Sequence, residues 1–247
     1  MKEKVTESKG LNGKRIVLLG GTSGFGLATA LAAAGEGAEI IVVSSKQQRV
    51  DEALSALPPG STGYATDISN EQQVEALFAK IGAFDHLVFT AGETLELGEL
   101  PALKLDEVKQ FFDVRFWGAV TAAKYGSPFI RKGGSITLTN GIACLRPWKG
   151  WTVAAGVTGA IESLTRALAV DLAPIRVNAV CAGLVRTNLW ANIPEADREA
   201  MFNDVGSKLL TGKVGEPEDI AEAYLYLMKN NFSTGQVIIS DGGGVLV

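Results

Sequence analysis

The chain has 247 residues, 47% of them apolar and 20% charged, with a net charge of −4. That is apolar material for one sizeable core, which excludes a disordered chain, and the mild acidity excludes a basic surface for nucleic acid. No run approaches 18 apolar residues, so no membrane span is expected; the polar start MKEKVTESKG lacks a secretory core, and a cytoplasmic protein is expected. Two cysteines (Cys144, Cys181) and one histidine (His86) read as reduced thiols and a satisfied strand-edge residue, with no metal site.

In chain order, six short β-branched runs read as strands: Arg15–Leu19, Glu39–Val43, His86–Thr90, Ser135–Thr139, Ile175–Val180 and Gln236–Ser240. Near-continuous apolar runs of this length suit strands covered on both faces, as in a parallel sheet. Helical stretches alternate with them. Ala28–Ala34 is rich in helix formers and reads as capped by Gly35. Glu71–Ile81 follows the cap residues Ser69 and Asn70 and puts Val74, Leu77 and Phe78 on one face. Val108–Tyr125 and Val157–Leu172 are too apolar for solvent-facing helices, so contact with another subunit is expected. Pro217–Lys229 opens with proline and acidic residues, a good helix entry. The alternation predicts one doubly wound α/β domain over residues 1–247, with a polar extension at about 1–12 and a substrate-side lid at about 187–212.

The chemistry-bearing motif is GGTSGFG, residues 20–26, between a strand and a helix. Gly20, Gly24 and Gly26 permit a tight turn and close approach to a pyrophosphate; the helix N-terminus, from Thr22, Ser23 and Phe25 onward, offers free N–H groups. Strand Glu39–Val43 runs into Ser44, Ser45 and Lys46, with no carboxylate to hold a ribose 2′-hydroxyl. Three donors there favour NADP(H) over NAD(H), unless Lys46 is simply a solvated lysine.

On these residues the chain resembles the short-chain dehydrogenase/reductase family over nearly its whole length. Asp67–Ile68 sits where that family contacts adenine. Thr90, Ala91 and Gly92 resemble the end of its NNAG strand. Gly183, Val185 and Thr187 resemble the loop that holds nicotinamide, and SDGGG resembles its closing Asp-Gly-Gly. The resemblance implies a Rossmann fold, a small-molecule substrate and a homotetramer or homodimer.

The family's chemistry rests on Asn, Ser, Tyr and Lys. The resemblance puts Arg115 at the Asn position, Gly141 at the Ser, Ala154 at the Tyr and Thr158 at the Lys, so all four groups are replaced. A positioned general acid is worth about 10²–10⁴ in rate, so ordinary ketones are expected to be poor substrates. Imines, iminium ions and activated alkenes need that acid less. Arg115 holds an anionic group of substrate or cofactor, or else forms an ion pair with Asp113 or Glu93. Asn140, Thr158 and Lys149 are further candidate donors, and Trp148, Trp151 and Trp190 are expected to line an aromatic pocket. The competing expectation is an inactive NADP(H)-binding sensor or partner subunit. A cavity filled by Trp148 or Trp151 would fit that reading.

Overall fold

A computed structural model describes residues 10–92 and 97–247. Seven strands form one parallel sheet: β1 (Arg15–Leu19), β2 (Glu39–Ser44), β3 (Thr62–Ala65), β4 (Phe84–Phe89), β5 (Ile130–Gly141), β6 (Arg176–Ala182) and β7 (Val237–Ser240). Their spatial order is β3-β2-β1-β4-β5-β6-β7. The chain winds outward from β1 to β3, then returns to lay β4 beside β1. This reversal leaves a crevice beyond the C-terminal ends of β1 and β4, where doubly wound folds bind ligands.

Helices α1 (Gly24–Gly35), α2 (Gln47–Ala56), α3 (Glu71–Ile81), α4 (Leu105–Phe112), α5 (Gly118–Gly126), α6 (Thr152–Asp171), α7 (Glu195–Lys208) and α8 (Pro217–Lys229) complete the domain. Ala30, Ala53, Ile220 and Tyr224 pack with Ile16 and Val42 on one face of the sheet. Val74, Phe78, Ala119 and Ile161 pack with Val17 and Ile136 on the other. The central strands are therefore buried from both sides, which is why their sequences do not alternate. A third cluster, Leu184, Trp190, Phe202 and Val214, lies under α7.

Local signals account for several boundaries. The Asn70 side chain accepts from the Gln73 backbone N–H (3.1 Å), and α3 ends at Gly82 with φ +69°. Pro217 opens α8 beside a reciprocal Glu216–Asp219 capping box. Three expectations are corrected. Gly35 is the last residue of α1 rather than its cap, and the left-handed glycine is Gly37 at φ +84°. His86 is not at an edge: β4 is central, and the imidazole is buried with Nδ1 2.9 Å from Ser135 Oγ. β3 and α2 had no periodic signal and went unread. The stretch expected as one helix at Val108–Tyr125 is α4 and α5 joined by a π-helical segment, Asp113–Trp117. Among the described residues, α6 is the one helix long and apolar enough to cross a bilayer; it packs on β5 and β6 instead. Residues 1–9 of the expected N-terminal extension lie outside the described residues.

Candidate active site

The turn after β1 is built on close approach. Gly20 has φ +90°, and a Cβ there would lie 2.5 Å from the Ala91 nitrogen. A Cβ on Gly26 would lie 2.2 Å from the Gly20 carbonyl oxygen. Neither position has room for a side chain, so the loop backbone sits directly against the end of β4. Ser23 makes no capping hydrogen bond to α1, and the first turn carries no acidic side chain. The leading N–H groups of α1 are therefore available to an anion. This cradle fits a dinucleotide pyrophosphate.

The remaining nucleotide-side residues share the same sheet edge. Thr66 N donates to Ser44 O (2.8 Å), which joins the ends of β2 and β3. Asp67 Oδ1 accepts from Ser69 N (3.0 Å) and Ser69 Oγ (2.7 Å), which fixes the turn that carries Ile68. Thr90 Oγ1 donates to Leu19 O (3.2 Å). Ser45 and Lys46 are exposed at the start of α2. Across the crevice, a Cβ on Gly24 would lie 3.5 Å from Thr187 Cγ2, so the loop after β6 faces the cofactor turn. Val185 is held in that loop by a bridge to Gly215.

A cavity of about 570 Å³ continues from this crevice between β5, α6 and α7. The Arg115 guanidinium lies over Gly92: a Cβ there would be 2.7 Å from Cζ, Nη1 and Nη2 alike. The same Cζ is 4.6 Å from the centre of the Phe111 ring. Backbone and ring thus fix a permanent cation in the wall, on a π-helical segment of the kind often found at functional sites. The expected partner Glu93 lies outside the described residues. Gly141 ends β5, and Ala154 and Thr158 face it from α6. A Cβ on Gly141 would lie 3.5 Å from Thr158 Cγ2, an ordinary contact, so the glycine leaves real space. Thr158 Oγ1 donates to Ala154 O (2.8 Å) within its own helix. Asn140 is buried in the wall, and its Oδ1 has no hydrogen-bond partner.

No tyrosine, serine, histidine or cysteine lines the cavity among the described residues. Tyr224 lies behind the wall, fully buried, its hydroxyl 2.5 Å from Thr139 Oγ1. Burial raises its phenol above the ordinary value, the wrong direction for an acid. Burial also raises the Cys144 thiol, and that of Cys181 to about 12, so neither is a thiolate at neutral pH.

A protein-family model described as enoyl-(acyl carrier protein) reductase matches residues 20–244. The short-chain dehydrogenase/reductase ATR9 of Stachybotrys chlorohalonatus is 38% identical, covering 96% of this chain and 98% of that protein. This chain belongs to the short-chain dehydrogenase/reductase family. Among solved structures of the family, a small-chain dehydrogenase in complex with NADPH matches at 38% identity and a TM-score of 0.82, covering 96% of this chain and all of the other. The MalC reductase/Diels-Alderase of Malbranchea aurantiaca matches at 31% identity and a TM-score of 0.89, covering 96% and 98%. Members of the family are oxidoreductases that use nicotinamide cofactors.

Set within that family, the fold brings Arg115, Asn140, Gly141, Ala154 and Thr158 to one cavity with Trp148, Trp151 and Trp190. Lys149 is not with them: it is 82% exposed, outside the wall, and paired with Glu99 at 2.7 Å. Trp148 and Trp151 pack on each other, with ring centres 4.7 Å apart, and leave the cavity open. Trp190 is anchored by Nε1 donating to Val185 O (3.1 Å). Sequence reasoning missed Arg146, Asp204 and Lys208, which also line the cavity. The signal for the last two was present: Met201, Asp204 and Lys208 recur at helical spacing on α7.

Proposed function

We propose that this chain is an NADP(H)-dependent reductase whose acceptor is already activated for hydride attack. Ordinary ketones are not its substrates. The observation that carries the reading is the cavity wall at Gly141, Ala154 and Thr158, where the family's Ser, Tyr and Lys are expected and no titratable group stands. Reduced nicotinamide, when bound, supplies the hydride. Gly20–Gly26 and the α1 N-terminus hold the pyrophosphate, Asp67 and Ile68 border the adenine, and Gly92, Val185 and Thr187 border the nicotinamide end. Ser44, Ser45 and Lys46 receive the 2′-phosphate.

Within the activated class, Arg115 favours a conjugated alkene over an iminium ion. Its guanidinium donors stabilise negative charge developing on an acceptor oxygen. Asn140 Oδ1, buried without a partner, accepts a hydrogen bond from a hydroxyl or N–H carried elsewhere on the substrate and orients it. Trp148, Trp151 and Trp190 supply flat apolar walls for a ring system. The open cavity supports an enzyme over a sensor, since a mere nucleotide sensor has no use for such a space. The MalC relative, named a reductase, runs the same way. Residues 187–212, with α7, act as the lid. Exposed Trp117 and Val170 are the contact points we assign to a homodimer or homotetramer.

The test is NADPH consumption against matched acceptors: a cyclic ketone, its conjugated enone and its cyclic imine. Reduction of the enone or imine at least about 100-fold faster than the ketone is expected, the size of a missing general acid. Equal rates on the ketone would overturn the reading.

A further inference from the structure

The opposite edge of the sheet carries a second cavity, of about 430 Å³. It opens at the N-terminal ends of β1, β4, β5 and β6. β1, β4 and β6, of five to seven residues, place it roughly 15–20 Å from the cofactor crevice, at about 3.3 Å per residue. Its lining includes Lys14, Lys132, Arg176 and Lys229, with Asp85 as the one carboxylate and His86 at its wall. A chain of net charge −4 thus gathers four cations around one cavity.

Arg176 is the unusual member. It is 7% exposed and makes no ion pair among the described residues. Its Nη1 donates to Leu227 O (2.7 Å) and its Nη2 to Met228 O (3.0 Å), the last-turn carbonyls of α8. Those dipoles stabilise the guanidinium in part, but they use two of its five donors and supply no counter-charge. Buried cations are ordinarily paired with an anion. Lys132 is exposed at the rim and has no ion pair among the described residues. Lys14 already pairs with Asp85 (3.2 Å), and Lys229 with Glu36 (2.6 Å). The unmatched charge therefore sits on Arg176 and Lys132, one buried and one exposed, which suits an ordered oxyanion reached from solvent.

We propose that this cavity binds a dianionic phosphate group, free or as a small phosphomonoester, between Arg176 and Lys132. Two unmatched cations balance a dianion, and the cavity is larger than a bare phosphate requires. The site is independent of the cofactor crevice and of the reading of the reaction.

His86 is the chain's one histidine, so its imidazole resonances report the cavity directly. The experiment titrates inorganic phosphate, and separately glycerol phosphate, into the full chain saturated with NADP⁺, at constant ionic strength set with chloride. A saturable shift of the His86 signals with a dissociation constant of about 1 mM or tighter is expected. Tighter binding of the ester would identify a phosphorylated metabolite as the ligand; equal binding would identify free phosphate. Lys132→Glu, at an exposed position that holds no other group, should weaken the phosphate at least about fivefold and leave NADP⁺ affinity unchanged. No saturable shift up to about 10 mM, or a shift that Lys132→Glu leaves unaltered, overturns the proposal.

Discussion

The nucleotide side and the substrate side of this molecule have been treated differently. Along β1, β2 and β4, close approach leaves no freedom: Gly20 and Gly26 sit where any Cβ would overlap backbone. Along β5 and α6 the wall is permissive, with small residues at Gly141 and Ala154 and space between them. Cofactor binding is thus a property of backbone packing, whereas acid catalysis is a property of a few side chains. The second can be removed without disturbing the first.

The sharpest way to break that contrast is to refill the substrate side. Gly141→Ser, Ala154→Tyr and Thr158→Lys together should raise ketone reduction by about 10²–10⁴, the ordinary worth of a positioned acid. Steady-state rates on a cyclic ketone check it, and an unchanged rate in a folded variant would show that the wall is not the catalytic one. On the nucleotide side, Gly26→Ala drives a Cβ into the Gly20 carbonyl and should weaken NADPH at least about 100-fold by fluorescence titration, with imine and enone turnover lost together.

The sheet's lower edge should show itself in a pH series. Burial, with the Arg176 charge adding to it, lowers the His86 pKa from 6.5 to about 4. The unfolded chain binds this proton below 6.5, and the folded one does so only near 4. Stability is therefore present above that window and lost as pH falls through it, by on the order of 3 kcal/mol in total. Denaturant melts from pH 7 to 4 should show a shallower pH slope in a folded His86→Gln variant than in the parent. Smaller again, Lys46→Glu should shift the preference for NADPH over NADH by about tenfold toward NADH, since one exposed charge is involved. Lys149→Ala should change turnover by less than about twofold, because that lysine pairs with Glu99 outside the cavity.

How much of this was readable depends on whether a residue's role is local. The cofactor turn was legible because strand, glycine spacing and helix lie together in sequence, and the six strands found by their β-branched runs are six of the seven in the sheet. β3 and α2 were missed because Thr62–Ala65 is short and half-exposed, and Gln47–Ala56 buries only Val50 and Ala53. His86 was misplaced because strand order is not written along the chain: return of β4 to the side of β1 makes it central. Arg146 was missed because it reaches the cavity from a loop; Asp204 and Lys208 share a helical face of α7, but nothing local in sequence says that this face meets a cavity built by β5 and α6.

By itself, then, the sequence determined the doubly wound domain, the phosphate-binding turn and the family, because backbone-scale constraints repeat at fixed local spacing. Only the tertiary structure decided that Arg115 is pinned over Gly92, that Tyr224 is sealed behind Thr139, and that Lys149 points away from the site. It also gathered Arg176, Lys132 and His86 around a second cavity. Each of these is a meeting of side chains from different strands and helices, and long-range packing alone sets which of them touch.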